Sequence, residues 1–278
     1  MSMIRLLGKS IAVLLLKFPF FRDAIFKLYS PAIRVEYKNL TNTSFINLLD
    51  LLKVDHSPFG LIRMGSNFDG GYVVAKSFGH DDFLLSFGVG TDVSFEESLS
   101  HSIKGIHLYD HTVDRLPSEI INATFFQRGL AVAPSRNMTD LEGAFLNVPS
   151  HSEIILKIDI EGDEWGILAG ASTGLLGSFK QIVIEFHNLE SINSLSNYEL
   201  IFGVLQKLRV THNVVNVHGN NWDTFRIIHG QFWPNALEVT YLNKRFFPEP
   251  NTDDYSRLNL PNNPERADYN LGLNYFKN

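Results

Sequence analysis

Between residues 80 and 245 the chain alternates. Seven apolar runs of strand length (Phe83–Phe87, Ile106–Tyr109, Thr124–Ala133, Glu153–Ile158, Gln181–Phe186, Asn213–Val217 and Ala236–Leu242) are separated in many places by segments of helical pattern. Val, Ile and Phe dominate these runs, and several lack polar alternation, which suits strands buried on both faces. Strand–helix alternation of this kind predicts a parallel sheet covered by helices. Ser94-x-x-Glu97 and Thr139-x-x-Glu142 have the spacing of capping boxes at two helix starts. In such sheets ligands lie outside the carboxyl ends of the strands. The residues just after each run are therefore the ones to read for chemistry.

Composition narrows that chemistry. The 278 residues contain no cysteine, which removes disulfides, thiolate nucleophiles and Cys-ligated metal clusters. A formal charge of −6 argues against a strongly basic nucleic-acid binder. The charge is uneven: residues 1–38 hold seven basic and two acidic side chains, a local +5 that leaves −11 for the rest. The longest apolar run there, Ile11 to Leu16, is far short of the ~20 residues of a membrane span. Residues 1–55 read as a basic helical extension, with a peripheral membrane contact through residues 1–30 as the sharper expectation. Residues 56–245 read as the main domain of a cytoplasmic protein. Residues 246–278, rich in Pro and Asn, read as an ordered segment packed on it.

The first strand end is Phe87-Gly88-Val89-Gly90-Thr91-Asp92. Its glycines let the backbone turn sharply and approach a ligand. The dinucleotide fingerprint wants a third glycine where this chain has Val93, so a nucleoside without a pyrophosphate fits better. Asp110, 20 residues after Gly90, stands where a carboxylate accepts from ribose hydroxyls. After the fourth run, Lys157, Asp159 and Glu161 share one side by period two. Glu161 and Glu164 also suit a helix start, where acids meet the positive dipole end. After the fifth run Glu185 and His187 share a face, and His218 follows the sixth. A histidine beside carboxylates serves as a base or, with oxygen donors, as a metal ligand. Asp159, Glu185 and His187 would suit Mg or Mn. Satisfied buried histidines are the plainer reading of His187 and His218.

At these residues the chain resembles the FkbM-type S-adenosylmethionine-dependent methyltransferases. The resemblance lies in Arg63-Met64-Gly65 through Asp69-Gly70-Gly71-Tyr72, in Leu85 to Glu96, in Leu156-Lys157-Ile158-Asp159-Ile160-Glu161-Gly162-Asp163-Glu164-Trp165, and in Leu258 to Pro264. It implies an α/β fold: a Rossmann-like seven-stranded methyltransferase sheet with helices on both faces. It also implies S-adenosylmethionine (SAM) facing Gly88, Gly90 and Asp110, with Asp92 in the same loop and Asp69, Gly70 and Gly71 closing over it. His111-Thr112 stands where a Pro-Thr pair is common in that branch. The expected activity is O-methylation of a hydroxyl on a sugar, glycan or related small molecule. Asp159 and His187 would deprotonate or orient that hydroxyl. Glu161, Glu164, Glu185 and His218 would hold the acceptor, or some of them would join Asp159 around a divalent cation. Trp165, Trp222, Phe225 and Trp233 are candidates for the mouth. Two other classes stay open: a scaffold that keeps the fold without turnover, and a nucleotide-sugar-dependent glycosyltransferase.

Overall fold

The computed structural model describes residues 40–247, 258–269 and 271. The expectations for residues 1–39, including the membrane contact, lie outside the described residues. Among the described residues no helix is long and apolar enough to cross a membrane.

All seven apolar runs contribute to one sheet, although the third leaves it after Phe126 and its Gly129–Leu130 pairs separately with Met138–Thr139. The strands of the sheet are β1 (Asp82–Phe87), β2 (Gly105–Tyr109), β3 (Ala123–Phe126), β4 (Glu153–Ile158), β5 (Phe179–Phe186), β6 (His212–Gly219) and β7 (Leu237–Asn243). Their spatial order is β6-β7-β5-β4-β1-β2-β3. The pairs among β1 to β5 are parallel, while β7 runs antiparallel to both neighbours. The sheet is therefore a mixed Rossmann-like sheet, not the purely parallel one that alternation predicts. The reason lies between β6 and β7, where a short hairpin (Phe225–Ile228 with Gln231–Pro234) replaces a crossover helix. The link, residues 220–236, folds on itself as that hairpin and re-enters the sheet at the end where β6 leaves it, so β7 pairs antiparallel to β6.

Period two sorts the side chains. Phe83, Leu85 and Phe87 of β1 point into one core with Leu156, Ile158, Ile182 and Ile184. That face is covered by helices α1 (Asn42–Asp50), α3 (Leu141–Leu146), α4 (Glu164–Gly170), α5 (Thr173–Ser178) and α6 (Leu195–Thr211). Leu84, Ile106, Leu108, Ile155 and Val183 point into the other core. Here the cover is helix α2 (Ser94–Ser100) and a β-hairpin, Leu61–Met64 with Tyr72–Ala75. Thr240 Oγ1 donates to Val73 O at 2.6 Å and Ala75 N to Gln181 Oε1 at 2.6 Å, fastening the hairpin over β5 and β7. Helices on both faces were expected. A pleated hairpin supplies much of the second layer instead.

Neither predicted cap is used as expected. Asp140 Oδ1 accepts from Gly143 N at 2.7 Å, so Asp140 takes the cap role assigned to Thr139 at the start of α3. The N-cap position of α2 is Val93, which makes no side-chain cap bond, and Asp92 Oδ1 accepts from Ser94 N at 2.8 Å from just before it.

Candidate active site

The cavity at the carboxyl ends of β1, β2 and β4 encloses about 520 Å³. Its walls come from three places. The β1 loop supplies Gly88 to Asp92, the β2 end supplies Tyr109 to Thr112, and the β4 end supplies Lys157 and Asp159 to Glu161. The loop of the hairpin adds Asp69, Gly70 and Tyr72.

The two glycines of the first turn do different work. A Cβ on Gly88 would stand 1.6 Å from the Asp159 carbonyl oxygen, so this glycine lets the β1 and β4 loops touch. A Cβ on Gly90 would meet nothing within 4 Å, and its φ of +49° leaves its amide turned toward Asp110. Gly71 sits inside the hairpin loop, where a Cβ would lie 1.9 Å from Ser66 O, and Gly70 abuts the Asp92 carboxylate.

Asp110 is buried and heavily bonded. Oδ2 accepts from Gly90 N at 2.9 Å, and Oδ1 accepts from Thr112 N at 2.7 Å and Thr112 Oγ1 at 2.6 Å. Burial works against its charge, but these bonds outweigh it and hold the carboxyl below the usual range. A carboxylate has about four acceptor positions, so one remains for a ligand.

Behind the cavity a row of polar residues crosses the hairpin-covered face of the sheet. The register sets Ser86 beside Lys157, Glu185 opposite Glu238, and Glu238 opposite His218. Ser86 donates to Glu96. Lys157 Nζ donates to Gly88 O at 2.8 Å and reaches Asp159 Oδ2 at 3.5 Å. Burial alone would lower its pKa, but Asp159, Glu96 and Glu185 together raise it. Tyr72 OH donates to Asp159 Oδ2 at 2.8 Å and lies 3.4 Å from Glu185 Oε2. Two buried acids face each other across β5 and β7, and like charges so placed repel. Burial, then Asp159 and Glu238, push the Glu185 carboxyl well above the carboxylate range. Glu238 instead keeps two donors, His218 Nδ1 at 3.1 Å and Asn262 Nδ2 at 2.5 Å.

His187 binds four acids. Nδ1 meets Glu164 Oε1 at 3.1 Å, while Nε2 faces Glu161 and Glu185 at 3.6 Å and Asp159 at 3.9 Å. Burial would lower its pKa, but the Glu164 bond and the surrounding acids raise it to about 9. At neutral pH it is an imidazolium. Asp159, Glu161 and His187 do bring ligand atoms within 4.8 Å of one another. A divalent ion bound there would have to displace the proton that the surrounding acids favour on His187. Glu185 is spoken for by Asn220 Nδ2 at 2.5 Å and by Tyr72.

Glu164 lies outside the cavity lining and is fully buried. Oε1 accepts from Ile160 N and Gly162 N, both at 3.1 Å, so it holds the turn that carries Glu161. Glu161 itself is exposed and sits at φ +60°, and Asn188 at the next strand end has the same φ. Left-handed non-glycine residues at two adjacent strand ends are strained positions of the kind found at functional sites. His218 is buried beyond the cavity wall, between Glu238 and Asp268 Oδ1 at 3.0 Å. Of the aromatic candidates, Trp233 is buried against Phe45 in the core, while Trp165, stacked on Phe186, also lines a second cavity. Trp222 is exposed beneath the Arg266 guanidinium.

Sequence reading gave no role to Tyr72, Glu96, Glu238 or Asn262, although Tyr72, Glu96 and Asn262 lie in the segments that carry the resemblance. Glu238 had a signal: it is a charge inside an otherwise apolar run.

No protein-family model matches the chain, and no curated protein does. Solved structures do. A candidate methyltransferase from Streptococcus mutans in complex with SAH is 13% identical, covering 60% of this chain and 88% of that one, with a TM-score of 0.34. An rRNA methylase from Streptococcus thermophilus is 12% identical, covering 72% and 93%, with a TM-score of 0.35. The N-methyltransferase NodS from Bradyrhizobium japonicum is 10% identical, covering 60% and 87%, with a TM-score of 0.35.

Proposed function

We propose that the protein is a SAM-dependent methyltransferase acting on a hydroxyl of a sugar, glycan or related small molecule. One observation carries this reading. A single cavity is lined both by the glycine turn with Asp110 and by Asp159 and Glu161. The glycine turn offers a nucleoside open space at Gly90 and the remaining acceptor position of Asp110. Asp159 offers a hydroxyl a carboxylate.

The residues present fit the cofactor. The cavity volume lies in the range of small-molecule sites. Its acids (Asp69, Asp92, Asp110, Asp159, Glu161, Asp163) suit a cation, and Lys157 is turned to Gly88 O and Asp159. When bound, SAM supplies an electrophilic methyl group on a sulfonium. The chain's own part is positioning and proton handling. Tyr72 and Lys157 engage Oδ2 of Asp159, which leaves Oδ1 to orient the acceptor hydroxyl and take its proton. The His187 imidazolium holds Asp159 and Glu161 in place, as a positioning cation and not as the base. A second cavity of about 490 Å³, lined by Val132, Asn188, Asn197 and Leu200, shares Asp163 with the first and gives the body of the acceptor a place. The acidic lining disfavours phosphate-rich acceptors such as nucleic acid.

Calorimetry with SAM, with its product S-adenosylhomocysteine (SAH) and with nucleotide sugars tests the reading, followed by labelled-methyl transfer to a panel of neutral sugars and glycans. Binding of SAM with transfer to a hydroxyl is expected. Folded protein that takes up only a nucleotide sugar, or neither ligand, overturns it.

A further inference from the structure

The loop between the strands of the first hairpin, residues 65–71, is held from two sides. From within, Arg63 Nε donates to Ser66 O at 2.9 Å and Nη2 to Phe68 O at 2.7 Å. From outside, the C-terminal segment reaches it. Asp69 N donates to Asn262 O at 3.2 Å, and Asn262 Nδ2 reaches Asp69 Oδ1 at 3.4 Å while donating to Glu238 Oε1. The next residue locks the segment in place: Asn263 N donates to Asn221 Oδ1 at 2.6 Å, and Asn263 O accepts from Asn221 Nδ2 at 3.0 Å.

Asn262 is 1% exposed and Asn221 is 0% exposed. Buried amides this far from regular structure are costly unless bonded, so their pairings define one position for the segment. The side chain of Asn262 also stands between two carboxylates, one on the sheet and one on the loop. An amide nitrogen has two hydrogens and can serve both, while a carboxylate there would repel both.

We propose that Asn262 is a positioning residue that holds the Asp69 carboxylate at the cavity mouth, and that this carboxylate gives the pocket a preference for a cationic ligand. The proposal rests on reading the cavity as a SAM site. SAM and SAH differ at sulfur: one is a sulfonium with its methyl group, the other a neutral thioether. A charge preference therefore shows in the ratio of their affinities. Asp69 and Asp159 line the same cavity, so the ligand's extra charge is felt on this side. Through Asn262, the C-terminal segment would favour exchange of spent SAH for SAM.

The test is calorimetric titration of the full chain with SAM and with SAH. Asp69→Asn should weaken SAM roughly five-fold more than SAH, the scale of one partly screened charge pair. Asn262→Ala should move the ratio the same way, and the double variant should move it no further, because the two act as one unit. A purely structural role would weaken both ligands alike. An unchanged ratio in Asp69→Asn, or in a folded Asn262→Ala, overturns the proposal. Should Asn262→Ala not fold, Asn262→Ser, which keeps a donor but shortens its reach, serves in the same comparison. Failure of the unsubstituted protein to bind SAM refutes the function itself, a different outcome.

Discussion

Glu185 and Glu238 are the same residue type at one register position, yet their surroundings separate them. Glu238 is met by an imidazole nitrogen and an amide. Glu185 has an amide, a phenol and two acid neighbours. Glu185→Gln should then cost no more than about 1 kcal/mol, because burial and the neighbouring acids already disfavour the charge that the substitution removes. Glu238→Gln removes the charge that faces His218 and should cost about 3 kcal/mol, the low end for breaking a buried pair. Urea midpoints of the two variants check the difference. The glycines separate in the same way. Gly88→Ala drives a methyl into the Asp159 carbonyl and should prevent native folding, while Gly90→Ala should fold and lose ~1–2 kcal/mol to its left-handed backbone. In the proposed reaction, Asp159→Asn should slow methyl transfer at least about 100-fold with SAH binding kept. Near-normal turnover in that folded variant would remove Asp159 from its role.

At the scale of elements, the seven strands and the period of their side chains were legible in the chain. Apolar runs of strand length have few other uses in an α/β protein. Strand direction was less so: a hairpin and a short crossover look alike in local pattern until the link between β6 and β7 is seen to pair with itself. The cap of α3 moved because Asp140 stands next to the predicted Thr139, and both are competent capping types. Asp140→Ala should lower stability by about 1 kcal/mol, read as a shift in denaturant midpoint. The start of β1 is tied to β5 by a largely buried pair, Lys180 Nζ with Asp82 Oδ2 at 2.8 Å. Nothing in the sequence marks these two residues, 98 positions apart, as partners.

Over the whole molecule, two buried histidines oppose each other in pH response. His212 is neutral: its ring bonds Phe179 O through Nε2 and Thr211 Oγ1 through Nδ1. Burial lowers its pKa to about 4. The unfolded chain takes up a proton near 6.5 that the native protein refuses, so stability is present above 6.5 and is lost as pH falls through 4. The loss should approach roughly 3 kcal/mol. His218 works the other way. Burial would depress its pKa, but Asp268 and Glu238 raise it to about 9, so its contribution is full below 6.5 and is lost as pH rises through 9. Thermal melts across pH should peak near 6.5. His212→Gln should flatten the acid limb, and His218→Gln should reduce the alkaline one, to which His187 also contributes. A monotonic profile would contradict both assignments.

Local pattern alone determined the α/β class, the positions of the strands, and the strand ends at which Asp110, Asp159 and His187 stand. Those properties follow from the spacing of apolar side chains and from glycine in a turn, which neighbours in the chain can dictate. Only the tertiary structure decided which groups share protons. The upward shifts of His187 and Glu185 depend on burial and on partners such as Glu164, Asp159 and Glu238 that arrive from distant segments. Coulombic and desolvation energies depend on distance in space, and the order of residues along a chain does not carry it.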